Sequence, residues 1–170
     1  MPQISSEQSD PVLILDRERA ATLARWQLAD EAAEAIERSF PESIRRPRVV
    51  AAQLAIADEL FAAAEAIELH MAETVPTTLA GIRALADFST EGLQHVDERD
   101  ARMIDRIIDA LEAMPTSPTK VILQALAEHA AEHYEDEDKF TASSMMLKAI
   151  VVAIDAITGT ASPVIEEDVA

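Results

Sequence analysis

"SMMLKAIVVAIDAITG" (residues 144–159) is the stretch on which the fold turns. At about 100° per residue its apolar side chains fall on nearly every side of a helix. A helix apolar all round belongs at the centre of a bundle or against a second subunit. It is too short to cross a bilayer and carries Lys148 and Asp155, whereas a span needs about 20 apolar residues in a row. The expected helix runs from about Thr141 to Thr158, with Gly159 just past its end as the C-cap.

The segments that would surround this helix are also helical in pattern. Helix 1 starts either at Asp10, with Pro11 in its first turn, or near Asp16 after an extended "VLIL" arm. It runs to about Phe40 along a stripe of Trp26, Ala29, Ala33, Ile36 and Phe40. "PESIRRPR" breaks the chain, and helix 2 runs from Pro47 to about Thr74 on Val50, Leu54, Ala57, Phe61, Ala64 and Met71. Two long helices joined by a short loop pack antiparallel.

"PTTLAGIRAL" (76–85) opens helix 3. Thr77 or Thr78 is its N-cap, Leu79, Ile82, Leu85 and Ala86 its buried face, and Gly92 its C-cap. Helix 4 begins after Asp97 or Asp100, buries Met103, Ile104, Ile107, Ile108 and Leu111, and stops before Pro115. Ser117-Pro118 starts helix 5, which fades near Glu135. The sequence therefore predicts an all-α, single-domain helical bundle of about six helices, opening with a long antiparallel helix hairpin. Residues 1–9 are expected to be disordered, 10–159 to form the bundle, and 160–170 to be a flexible acidic tail.

Composition agrees with that class and narrows the function. Of 170 residues, 49% are hydrophobic and 27% charged, which is globular usage. Only 3 glycines and 4% aromatics argue against strands joined by tight turns. The net charge of −18 argues against phosphate-mediated nucleic-acid binding and against anionic membranes. It leaves room for a basic protein partner, including capture of a nucleic-acid-binding protein by acidic mimicry. With no cysteine, disulfides, thiolate metal sites and cysteine catalysis are excluded. The N-terminus has no basic region ahead of a long apolar core, so a signal peptide is not read and the expected compartment is the cytoplasm.

Four groups of residues are candidates for chemistry or contact. His129 and His133 lie four apart in "EHAAEHYEDED" (128–138) and can face one divalent metal. Glu132 and Asp136 are read as pointing elsewhere on the helix, leaving a distant acid or His95 as third ligand. Leu123, Leu126, Ala127 and Ala130 centre the apolar face of that helix, so both histidines also fit a wet boundary. Neither Glu-x-x-His nor His-Glu-x-x-His occurs.

Glu31, Glu34 and Glu37 on helix 1 and Glu65 and Glu68 on helix 2 superficially resemble the paired acids of all-helical nucleotide pyrophosphohydrolases. The hairpin would hold Glu37 and Glu68 roughly 26 Å apart at 1.5 Å per residue, too far to share an ion. Glu68 falls instead on the apolar stripe of helix 2, level with Arg19 on helix 1, and a buried charge needs a partner. An Arg19–Glu68 bridge is therefore expected. Arg45, Arg46 and Arg48 form the only basic cluster, a possible anion contact that equally complements the end of helix 1.

From Pro76 to Phe88 the chain resembles short all-helical alphaproteobacterial proteins carrying a Pro-x-Thr-Thr-x-Ala-Gly segment. The resemblance implies a helical fold and assigns no activity. In this sequence Thr77 and Thr78 cap the helix, while Ala80, Gly81 and Ala84 would allow another helix to approach closely. The leading expectation is a non-enzymatic bundle without cofactor, acting by protein–protein contact with itself or another protein. The alternative is a metal binder or metal-dependent enzyme centred on His129 and His133.

Overall fold

The structure, a computed structural model, describes residues 9–40, 48–91, 98–134 and 140–159. The expectations for residues 1–8, Arg45, Arg46, Pro47, Gly92, His95, Asp97, Asp136 and the tail 160–170 lie outside the described residues. The chain is all-α: α1 (Pro11–Arg38), α2 (Arg48–Glu73), α3 (Leu79–Glu91), α4 (Glu98–Ala113), α5 (Pro118–Tyr134) and α6 (Phe140–Thr158). Among the described residues there is no strand. Nor is any helix among them long and apolar enough to cross a membrane.

Two compact units make up the chain. One is the hairpin, Ile14–Met71; the other joins Met1–Leu13 to Ala72–Ala170. In the hairpin, Arg19, Trp26 and Ala29 of α1 meet Glu68, Phe61 and Gln53 of α2 respectively. Partner numbers fall as α1 advances, so the helices run antiparallel. Trp26 and Phe61 stack at 5.7 Å with their planes inclined at 55°. The buried positions, Ala29, Ala33, Val50, Ala57, Ala64 and Met71, are mostly small. Two stripe residues depart from the sequence reading. α1 ends at Arg38, leaving Phe40 beyond the helix at 37% exposure, and Phe61 is 45% exposed.

In the larger unit α3 packs on α4 and α6, and α5 packs on α4 and α6. That cyclic adjacency is a four-helix bundle. Its core is built from Ile82, Leu85 and Ala86 of α3, Met103, Ile104, Ile107 and Leu111 of α4, Leu123, Ala127 and Ala130 of α5, and Leu147, Ile150 and Ile154 of α6. α6 is thus buried on one side rather than all round: Met145, Val152 and Ile157 stay exposed.

The caps fix where these helices begin and end. Asp10 is the N-cap of α1, its Oδ1 accepting from the Val12 and Leu13 amides at 2.9 and 3.4 Å, with Pro11 as the first helical residue. This decides for a helix and against an extended arm. Thr78 caps α3, its hydroxyl accepting from the Gly81 amide at 3.1 Å. Ser117 caps α5 in the same way through the Lys120 amide, also at 3.1 Å. Gly159 ends α6 at φ 72°, a conformation that glycine adopts without strain.

Candidate functional site

Helical spacing brings His129, Glu132 and His133 together near the end of α5. One ligand atom from each lies within 4.8 Å of the others. The His129 Nδ1 is 3.5 Å from a Glu132 carboxylate oxygen. The two imidazole rings meet edge to face at 4.3 Å between centroids. The reading that Glu132 points elsewhere is therefore corrected. Residues three apart are neighbours on a helix surface, and the signal was present in the His-x-x-Glu-His order itself.

The surroundings of this cluster are uneven. His129 and Glu132 are exposed and His133 is half-buried. The His133 Nδ1 is enclosed by protein and has no hydrogen-bond partner among the described residues. A polar atom in that position costs about 1–3 kcal/mol. The turn beneath is tied to α6 by the buried Ser143 hydroxyl, which donates to the Ala130 carbonyl at 2.9 Å. Among the described residues this is the only group of three metal-ligating side chains. The glutamates of α1 and α2 do not assemble one.

Arg19 and Glu68, read from the sequence as facing charges, stand 2.8 Å apart with their side chains 17% and 14% exposed. A comparable pair ties α3 to α6 in the larger unit, where Arg83 grips both carboxylate oxygens of Asp155. The hydrogen bond it donates to Asp155 raises the guanidinium pKa, against the opposing effect of burial. Arg48 is exposed at the first position of α2.

Asp10 is the residue whose full role sequence reasoning missed. It is wholly buried, and its second oxygen, Oδ2, accepts from the amides of Thr77 and Thr78, both at 2.8 Å, and from their hydroxyls at 3.1 and 2.9 Å. One carboxylate thus caps α1 and holds the approach to α3. Burial alone would raise its pKa, but the Thr77 amide, the two threonine hydroxyls and the Val12 amide together hold it below the ordinary carboxylate value. Gly81 leaves the space: a Cβ there would sit 2.5 Å from Asp10 Oδ2. What meets Gly81 is this carboxylate, where the sequence suggested the backbone of another helix. Asp10 stands 67 residues from Thr77 in the chain, and no local pattern in the sequence couples the two.

A shallow groove between α5 and the end of α6 is lined by Thr119, Ile122, Leu123, Ala153 and Ile157. An adjoining hollow reaches Leu111, Met114 and Lys120. The Lys120 ammonium donates to the Glu112 and Met114 carbonyls at 2.8 and 2.7 Å. It serves as a cation at the C-terminus of α4, and the groove gathers no acid–base pair. No protein-family model, curated protein or solved structure matches the chain.

Proposed function

We propose that this protein is a helical assembly subunit that pairs with a second copy of itself through the open face of its hairpin. The supporting observation is a second apolar stripe on each hairpin helix. Ile14, Ala21, Leu28 and Ala35 of α1 recur every seven residues, and all are exposed. Val49, Ala52, Ile56, Ala63 and Ala66 of α2 follow the a/d spacing of a heptad, interrupted at Glu59, and they too are exposed. A coiled-coil seam is apolar at both a and d; α1 supplies one of these positions, with Arg17, Ala24, Glu31 and Arg38 at the other.

Phase places both stripes on one side. Each is rotated from its helix's buried stripe by roughly 120° in the same sense, at 3.6 residues per turn. In antiparallel helices, equal rotations in the same sense point to the same side of the hairpin. A hairpin with two such seams can complete a four-helix bundle with its copy. The charges at the remaining seam positions are of both signs, with Arg17, Arg38, Glu31 and Glu59 all exposed. That mixture suits a copy of the same chain better than a strongly basic partner.

Light scattering after size exclusion tests this reading. The full chain is expected to run at twice its monomer mass. Leu28→Glu and Ile56→Glu are expected to run as monomers, and Val152→Glu on α6 as a dimer. A wild-type monomer, or a dimer dissolved only by Val152→Glu, would overturn it.

A further inference from the structure

We infer that His129, Glu132 and His133 form a one-helix binding site for zinc or a closely related divalent first-row metal. Two imidazoles and a carboxylate are the donor set that such ions take, with water completing a tetrahedral shell. At metal–ligand distances of about 2.0–2.1 Å, the donors of a tetrahedral site lie roughly 3.3 Å apart. His129 Nδ1 and Glu132 Oε2 are already at 3.5 Å. The whole set lies within 4.8 Å, so side-chain rotation alone closes the remainder. Both His129 and Glu132 are exposed and have room to make that adjustment.

A second observation points the same way. Among the described residues the enclosed His133 Nδ1 has no hydrogen-bond partner, so turning the ring toward a cation breaks no hydrogen bond to them. The backbone beneath it is held by the Ser143–Ala130 hydrogen bond, so the site stands on a fixed turn rather than a loop. The site would crosslink successive turns of α5 and stiffen its last turn.

The test is calorimetric titration of Zn2+ into the full untagged chain, with Mg2+ present in excess to occupy purely carboxylate sites. One zinc ion per chain is expected. Loss of an outer-shell partner of a metal ligand already costs about 10–100-fold in affinity, so His129→Ala and His133→Ala should each cost at least tenfold. Glu132→Gln should weaken binding as well, and His70→Ala on α2 should leave it unchanged. Alanine is the better helix former, and circular dichroism of each variant verifies that α5 persists. Absence of zinc binding by the wild type, or stoichiometric binding that survives the double His129→Ala/His133→Ala replacement, would sink the assignment. Neither result bears on the hairpin seam, which carries none of these residues.

Discussion

A single carboxylate, Asp10, satisfies donors in two places distant in sequence, and it does so at a position closed to water. An aspartate accepts on both oxygens, whereas an asparagine turns one of them into a donor pair. Asp10→Asn would set an NH2 against amide donors at one end or the other, and unfolding in urea should show a loss of about 1–3 kcal/mol. Gly81→Ala should cost a similar amount, about 1–3 kcal/mol, because its methyl meets the same carboxylate. The pH dependence follows from the lowered pKa of Asp10. Its contribution is fully present above the ordinary value of 3.8 and disappears as pH falls through the lower folded value. The stability gap between wild type and Asp10→Asn should therefore stay level at neutral pH and narrow only below about 3.8. Arg19 and Glu68 follow a different rule, since both partners are largely desolvated. Removing one partner, as in Arg19→Met, should cost about 1–3 kcal/mol. Replacing both with apolar residues, Arg19→Met with Glu68→Leu, should recover most of that loss. A double-mutant cycle in urea measures it.

Ser117 and Lys120 show how one short connection serves two helices. The Ser117 hydroxyl caps α5 while the Lys120 ammonium holds the last carbonyls of α4. Ser117→Ala should cost about 1 kcal/mol and speed amide exchange in the first turn of α5. Lys120→Met should cost about 0.3–1 kcal/mol and speed exchange in the last turn of α4 instead. Hydrogen exchange resolved by residue separates the two. Signals of this local kind are what made the elements legible in sequence. Ser-Pro at the start of α5, Gly159 after α6 and apolar residues at helical spacing all act within a few residues of the structure they specify. The opening proline was ambiguous because the alternative to a helix, a docked arm, depends on what Asp10 meets 67 residues away. The same limit applies at α6. Periodicity reports that a face is apolar, and whether a neighbour covers Met145 and Val152 is a tertiary matter. At the histidine cluster, His129 and His133 were visible from their spacing. Glu132 belongs with them because residues three apart are neighbours on a helix surface.

For the molecule as a whole, the hairpin's burial pattern sets what assembly should look like. Its enclosed positions are mainly alanines, with Val50 and Met71 the larger exceptions. Fully burying a large aliphatic side chain contributes about 1.5–3 kcal/mol, and the hairpin leaves Ile14, Leu28 and Ile56 without that contribution. Pairing with a second hairpin would supply it, and stability then depends on protein concentration. A tenfold rise in concentration is worth about 1.4 kcal/mol for a dimer. Spread over the unfolding entropy of two hairpins, at about 2.1 cal/mol/K per residue, it raises Tm by about 6 °C. The single tryptophan of the chain, Trp26, lies in the hairpin against Phe61. Its fluorescence reports that unit, whereas far-ultraviolet dichroism reports every helix. Trp26 fluorescence melts are therefore expected to move upward by about 6 °C per decade of concentration if the hairpins melt as a separate unit, and by about 2 °C if the whole dimer melts at once. In Leu28→Glu the dependence should vanish. A wild-type fluorescence melt that does not move across two decades would place the apolar seams outside any self-contact.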